Sequence, residues 1–169
     1  GRLVQGEPEI AGAAPKKPRA AAGSYPFHGR SFLPLLDQEN PPGWDEVFAS
    51  HTFHEITMYY PMRVVRTRQY KLLFNVAQQL PFPFASDLFE SATWQSVLRR
   101  GESVFGPRRT IDFIQRPRWE LYDLQADPNE VKNLANDPRH AQTLGDLQVK
   151  LKTFQQRTSD PWVLKYKYE

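Results

Sequence analysis

One short stretch near the middle of the sequence holds residue types that suit binding chemistry. His54 stands beside Glu55, and Arg63 follows in the same segment. An arginine fork fits the oxygens of an anionic group, and His and Glu side chains can form hydrogen bonds to a polar ligand. These three residues are the candidate substrate-binding residues, in a polar pocket beside Tyr59 and Tyr60. In the alternative interpretation, Glu55 and Arg63 form a structural ion pair and His54 lies at the surface.

The sequence predicts no catalytic residue and no metal ligand of its own. It contains no cysteine, and neither a glycine-rich phosphate loop nor a Gly-x-Ser-x-Gly elbow is present. His51 and His54 are the two histidines close in sequence. Their spacing places them on opposite faces of a strand, which does not suit a shared metal ion.

The composition indicates one globular domain of ordinary size. The chain has 169 residues, of which 40% are hydrophobic, and its net charge is +3. This mildly basic balance suits anionic ligands but does not require nucleic acid. No run approaches the roughly 18 apolar residues of a membrane span. We therefore predict neither nucleic acid nor membrane as a partner.

The two ends of the chain differ in composition from its middle. Residues 1–24 are rich in Ala, Gly and Pro, and we predict that they are disordered or unrelated to the domain behind them. No signal-peptide pattern stands at the start. The domain itself is expected over residues 25–163, and residues 164–169 are expected to form a short tail.

Four segments have the residue types of strands, and the chain is predicted to fold as an α+β domain with a small antiparallel sheet. The strands are expected near residues 53–66, 70–76 and 119–124, with residues 110–115 as an additional strand. Pro61 cannot donate to a ladder, so it predicts an edge, a bulge or a break.

Two start signals predict shorter helices. Ser91 can cap a helix that ends at Arg100, with Gly101 behind it. Asp127, followed by Pro128 and by Glu130 three positions after the cap, has the arrangement of a capping box.

A longer amphipathic helix is predicted over residues 138–156, after the Asp137-Pro138 start signal. Its apolar stripe is expected to pack on one face of the sheet. The side chains expected to be buried there are Leu144, Leu147, Leu151 and Phe154.

Several motifs resemble a known family. The pattern ELYDL-x-x-DP-x-E-x-x-NLA-x-DP is similar to the C-terminal signature of sulfatases, members of the alkaline-phosphatase-like superfamily. The stretches GRSFLPLL, HEITMYYPMR, LPFPF and DPWV are similar to those of the lysosomal sulfamidases. The resemblance covers roughly residues 29–163.

The resemblance implies an enzyme whose chemistry resides outside this chain. Sulfamidases hydrolyse the N-sulfate of glucosamine in heparan sulfate with a formylglycine nucleophile and a calcium ion, both in a separate N-terminal domain. It further implies a lysosomal location, a homodimer in the full-length form and contact with that catalytic domain. Because this sequence has neither the cysteine nor the calcium motif, the isolated chain is predicted to be inactive.

Three hypotheses about function remain open at this point. The chain is the C-terminal domain of a sulfamidase, the same domain of another sulfatase that acts on sulfate esters, or a non-catalytic module that binds anionic glycans. The basic residues available to such a module are Arg63, Arg66, Arg68, Lys71, Arg108, Arg109, Arg116 and Arg118.

Overall fold

A computed structural model describes residues 27–55 and 58–166 of the chain. They belong to two compact units, which divide between Asp37 and Gln38. The described part of the first unit contains one short 3-10 helix, Leu33–Leu35. All the strands and the remaining helices belong to the second unit.

Two predicted segments lie wholly or partly outside the described residues. Residues 1–24 lie outside them, and so do residues 167–169 of the expected tail. The residues before that point continue a 3-10 helix, Pro161–Tyr166.

The second unit is built on a four-stranded sheet, which is antiparallel as the sequence predicts. The strands lie in the order β1-β2-β3-β6. They are β1 (Glu46–Phe53), β2 (Tyr59–Thr67), β3 (Tyr70–Asn75) and β6 (Trp119–Asp123). A separate two-stranded ribbon pairs β4 (Val104–Phe105) with β5 (Arg108–Arg109).

The predicted strand at residues 53–66 is in fact the meeting point of β1 and β2. The pairing shifts in register between His51 and Phe53. Since His51 pairs with Met62 and Phe53 with Tyr59, β2 has one residue more than β1 at this point. Pro61 lies in that bulge, one of the positions that its missing N–H predicts.

The long C-terminal helix packs on the sheet as predicted. A 3-10 turn, Pro138–His140, leads into α4 (Ala141–Arg157), and the side chain of Asp137 accepts a hydrogen bond from the backbone of Arg139. Leu147 and Leu151 of α4 belong to the core. Their core neighbours include Val65, Leu72, Phe74 and Leu121. Burial of each such side chain contributes about 1.5–3 kcal/mol.

The other two members of the predicted stripe lie at the margin of that core. Leu144 packs against it while partly buried. The ring of Phe154 stacks on that of Phe48 from β1, with centroids 4.1 Å apart. The helix thus packs against the core and the sheet from Leu144 to Phe154.

The three short helices are α1 (Ser86–Glu90), α2 (Ala92–Arg100) and α3 (Thr110–Ile114). The helix α2 has the predicted bounds, because Ser91 accepts from the backbone of Trp94 and Gly101 adopts φ +64° behind Arg100. No helix in the described part of the chain is long and apolar enough to cross a bilayer.

The strand predicted at residues 110–115 is wrong, because the segment forms α3. One helical turn brings Phe113 within 5.7 Å of the Phe105 ring and 6.2 Å of the Trp94 ring, measured between centroids. Packing in this aromatic cluster therefore overrides the β-prone composition of the segment.

The capping box predicted at Asp127 is also wrong. A turn follows, in which Asp127 Oδ2 accepts from the backbone N–H of Lys132 at 2.8 Å. Glu130 adopts a left-handed φ of 54°, and both of its carboxylate oxygens accept from Lys71 Nζ. A residue in that conformation ends a helical turn, and the ion pair removes the side chain from any capping role.

The next residues cover the outer edge of β6. Asn133 Oδ1 accepts from the backbone N–H of Leu121 at 2.9 Å, and the backbone N–H of Leu134 donates to the carbonyl of Leu121 at 2.8 Å. Asn133 Nδ2 also donates to the carbonyl of Trp119. The Asn-Leu-Ala motif thus occupies backbone groups that an edge strand otherwise leaves unpaired.

Candidate functional site

The structure places Arg63 in a buried ion pair. The Nε and Nη2 groups of Arg63 donate to the two carboxylate oxygens of Asp160 at 2.5 and 3.0 Å. Its Nη1 group donates to the carbonyls of His51 and Met62 at 3.0 and 2.8 Å. Because the guanidinium makes four hydrogen bonds within the protein, this arginine holds the segment after α4 against the sheet.

The structure places His54 and Glu55 just beyond the end of β1. His54 is exposed, and its backbone N–H donates to the carbonyl of Met58. The carboxylate of Glu55 accepts from the hydroxyl of Ser86 at 3.0 Å. Among the described residues, neither side chain is hydrogen-bonded to the other or to Arg63.

The ion pair suggested between Glu55 and Arg63 is a wrong interpretation. Arg63 is paired with Asp160 and Glu55 is bonded to Ser86. The reason lies in the long-range packing of the segment after α4, which brings the carboxylate of Asp160 against β2. The adjacent tyrosines diverge as well, since the ring of Tyr59 lies near Trp162 and that of Tyr60 near Phe82.

A second polar site lies on the other face of the sheet, around the buried carboxylate of Glu120. Asn75 Nδ2 donates to Glu120 Oε1 at 2.7 Å, and the hydroxyl of Tyr122 donates to Oε2 at 2.6 Å. Two guanidinium groups flank this carboxylate. Arg116 Nη1 is 3.5 Å from Oε1 and Arg108 Nη2 is 3.9 Å from Oε2.

An open cleft of about 620 Å³ adjoins these residues. We call it the arginine cleft, after Arg108 and Arg116, which line it together with Glu120 and Tyr122. Each of these two arginines has a side chain that is 17% exposed, whereas the Glu120 side chain is 3% exposed. The carboxylate therefore lies at the floor and the two guanidinium groups reach solvent.

The electrostatics of the cleft keep the phenol of Tyr122 protonated. Burial raises the pKa of Tyr122 well above its usual range, and the charge of Glu120 and the hydrogen bond to it act in the same direction. Burial also raises the pKa of the neighbouring Tyr60 to about 12, against a lowering effect of Arg116. Tyr122 is therefore a hydrogen-bond donor to Glu120 at neutral pH.

Most of the basic residues considered for glycan binding do not share one surface. Arg68 pairs with Asp45, Lys71 pairs with Glu130, and Arg109 pairs with Asp112 at the rim of the cleft. Arg118 donates to the carbonyl of Lys165. Arg66 is exposed on β2.

Sequence reasoning missed the polar residues at the floor of the cleft. Glu120 and Tyr122 are two positions apart on β6, so their side chains project from the same face of the sheet. That alternation was visible in the sequence. Their partner Asn75 lies on β3. Its proximity to Glu120 was not visible in the sequence, because only the pairing of the strands brings the two residues together.

The calcium implied by the family resemblance does not fit the described residues. They form no group of three or more His, Cys, Asp or Glu side chains able to hold a metal ion. Oxygen-rich clusters of that kind are what calcium requires.

Comparisons with known proteins agree with this architecture. The family model for the C-terminal region of N-sulphoglucosamine sulphohydrolase matches residues 107–157, a range that includes both arginines of the cleft. Human N-sulphoglucosamine sulphohydrolase is 44% identical over 149 residues, which cover 85% of this chain and 29% of the human protein. The chain carries the C-terminal domain of a sulfatase.

More distant relatives share this sulfatase domain. An ulvan-active sulfatase of Formosa agariphila is 29% identical over 130 residues, or 70% of this chain and 22% of that protein. A solved 2-O GAG sulfatase has the same fold, with a TM-score of 0.51 and 21% identity over 80% of this chain and 21% of its own. The chain thus spans less than a third of the length of these sulfatases.

Proposed function

We propose that this chain forms the C-terminal domain of a lysosomal sulfamidase that hydrolyses the N-sulfate of glucosamine in heparan sulfate. One observation carries the proposal, namely the 44% identity to human N-sulphoglucosamine sulphohydrolase across 85% of the chain. An identity of this size over nearly the whole domain supports a shared substrate class.

In this proposal the reaction takes place in a catalytic domain that contacts this one. The nucleophile is supplied from outside the chain, because its sequence contains no cysteine from which formylglycine is made. A calcium ion would likewise be held by that other domain, and the chemistry it would supply there is polarisation of the sulfate. The intact enzyme is further proposed to be a homodimer.

In this proposal, this domain helps to position and to bind the substrate. Exposed His54 is the remaining candidate for direct substrate contact among the three residues selected from the sequence, with Glu55 beside it. Arg63 supports them indirectly, because its Nη1 group bonds to the carbonyl of His51 near the end of β1. In the full-length enzyme, His54→Ala is expected to lower kcat/KM without changing the melting temperature. Normal kinetics in a stable variant would remove His54 from the site.

The deciding experiment is turnover by the full-length gene product. It compares a disaccharide with an N-sulfated terminal glucosamine and one that carries only O-sulfate groups. The proposal expects release of sulfate from the N-sulfated substrate. Turnover of the O-sulfated substrate alone would assign the domain instead to a sulfatase that acts on sulfate esters.

The isolated chain provides the matching negative control. It is expected to release no sulfate from either disaccharide, because it holds neither an activated nucleophile nor a metal cluster in its described part. If the purified chain released sulfate and a substitution within it abolished that turnover, the proposal that catalysis takes place in another domain would be overturned.

A further inference from the structure

We propose that the arginine cleft is a binding site for a sulfate or carboxylate group of an anionic saccharide, distinct from the His54 surface. The choice of a saccharide rests on the proposed function, whereas the choice of an oxyanion rests on the cleft itself. Three kinds of observation support it, namely the two arginines, the local charge, and the size and rim of the cleft.

Arg108 is held in place mainly by aromatic rings. Its guanidinium carbon lies 5.0 Å from the centroid of the Phe113 ring and 5.9 Å from that of Tyr122. Its hydrogen bond within the described residues is the one from Nη2 to the hydroxyl of Tyr122, at 3.2 Å. Its Nε group is buried and has no partner there. A guanidinium has five N–H donors, so most of those on Arg108 make no hydrogen bond within the described residues.

Arg116 repeats this arrangement on the other side of Glu120. Its guanidinium carbon lies 4.7 Å from the centroid of the Phe82 ring. Nη1 makes a long contact of 3.5 Å with Glu120 and lies 3.9 Å from Met62 Sδ. Its Nε group, like that of Arg108, is buried without a partner in the described part of the chain. Stacking fixes the plane of each fork, so less freedom is lost when an oxyanion binds.

The local charge favours an anion. Glu120 is the carboxylate between the two guanidinium groups, and its oxygens already accept short hydrogen bonds from Asn75 and Tyr122. At the rim, Arg109 and Asp112 form a bidentate pair and cancel each other. The cleft therefore has one more positive than negative charge among its lining side chains.

The size and rim of the cleft suit a saccharide better than a single small ion. Its volume of about 620 Å³ falls within the usual range for small-molecule sites. The exposed amides of Gln115 and Asn136 line it and can bond to hydroxyl groups. One oxyanion between the arginines and hydroxyl groups at the amides would fill it.

The first test uses the unmodified chain and observes the arginines directly. The Nε–H resonances of ¹⁵N-arginine-labelled protein are followed during titration with a sulfated, uronate-containing heparin tetrasaccharide. The signals of Arg108 and Arg116 are expected to shift together and to saturate, because both guanidinium groups line the cleft. The signal of Arg63 is expected to remain unchanged. Equal shifts at exposed Arg66, without saturation at the cleft, would overturn the proposal.

Two parallel titrations distinguish the group that is bound. One uses the same tetrasaccharide after chemical desulfation, which keeps its carboxylates, and the other uses inorganic sulfate. Saturating shifts with the desulfated sugar assign the site to a carboxylate, and their loss assigns it to a sulfate group. Saturation with inorganic sulfate as tight as with the tetrasaccharide would overturn the saccharide part of the inference.

Lysine substitutions then test the fork without changing the net charge. Arg108→Lys and Arg116→Lys are each expected to weaken tetrasaccharide binding by about tenfold, the order of one lost charge-assisted bond pair. Arg66→Lys is the matched control and is expected to change affinity by less than about twofold. If all three variants bind equally well, the attraction is one of general charge and the proposal is wrong.

The outcome is separable from that of the proposed function. Binding is measured on this chain, whereas the function is tested by turnover of the full-length product. Loss of binding in the lysine variants together with O-sulfatase turnover would support the binding role of the cleft and overturn the sulfamidase function. Sulfamidase turnover with no shift at Arg108 or Arg116 would support the function and overturn the binding role of the cleft.

Discussion

Arginine is used in two different ways on the two faces of the same sheet. On the face covered by α4, Arg63 donates to both oxygens of Asp160 and to two backbone carbonyls. On the opposite face, Arg108 and Arg116 lie against aromatic rings, and each has a buried Nε group without a partner in the described residues. The residue type is the same on both faces, but the donors are used differently.

The comparison teaches that hydrogen-bond saturation separates a structural arginine from a binding one. A guanidinium that uses most of its donors within the protein, as Arg63 does, stabilises the fold and cannot bind a ligand bidentately without breaking native bonds. One that is oriented by stacking retains its donors for an oxyanion. The same distinction predicts a large loss of stability on substitution of Arg63 and a small one on substitution of Arg108.

The largest expected effect is that of Arg63→Ala. It leaves the carboxylate of Asp160 buried without its main partner, so the free energy of unfolding should fall by about 3–5 kcal/mol. Urea denaturation of the isolated chain measures this change. Arg68→Ala, which removes an exposed pair with Asp45, is the matched control and should leave the midpoint nearly unchanged. Equal midpoints for the two variants would contradict the structural role of Arg63.

Acid should remove part of the same contribution. Burial tends to raise the pKa of Asp160, but the hydrogen bonds from Arg63 and from the backbone of Trp162 outweigh it, and the net pKa is lowered. A lowered pKa stabilises the fold above the ordinary value of 3.8 and ceases to do so as pH falls through the folded value. The stability difference between wild type and Asp160→Asn should therefore be constant near neutral pH and shrink below about pH 4. A difference that grows in acid would refute this assignment.

Tyr122→Phe tests the floor of the cleft. Its effect on stability should shrink at high pH, whereas that of Asp160→Asn should shrink at low pH. Loss of a hydrogen bond to the buried carboxylate of Glu120 should cost about 1.5–3 kcal/mol. Because the folded pKa of Tyr122 is raised, its contribution is complete below the ordinary value of 10.0 and is lost as pH rises beyond it. The denaturation midpoints of the wild type and of Tyr122→Phe should thus converge at alkaline pH. A constant gap from pH 8 to 11 would argue against this view.

The smallest effect on stability is expected for Arg108→Gln. Glu120 keeps its bonds from Asn75 and Tyr122, and the lost hydrogen bond is the single one from Arg108 to the hydroxyl of Tyr122. The loss should be about 1 kcal/mol, measured by urea denaturation. A loss as large as that of Arg63→Ala would show that the cleft is a structural ion-pair network.

Local sequence signals were sufficient for much of the fold. Ser91 and Gly101 bound α2, the repeated apolar spacing identifies α4, and Pro61 lies in a bulge. Each of these depends on neighbouring residues or on a single backbone property. The wrong strand at residues 110–115 failed because the aromatic contacts of Phe113 come from distant segments.

The two polar sites depend even more than the fold on contacts between residues far apart in the sequence. Asp160 is 97 positions from Arg63, and Asn75 is 45 positions from Glu120. Nothing in the local pattern of either residue identifies its partner, so the ion pair was assigned to nearby Glu55. The sequence could provide the residue types of a polar site, but strand pairing and helix docking determined which of them meet.

The Asn-Leu-Ala segment has a consequence for how this chain behaves at high concentration. Asn133 and Leu134 occupy the backbone donor and acceptor of Leu121, so a foreign strand cannot join the sheet at that position of β6. The opposite border, β1, has no neighbouring strand on its outer side among the described residues. Intermolecular strand addition, and the aggregation that follows from it, should therefore begin at residues 46–53, where a lysine on the outward edge would improve the solubility of the isolated domain.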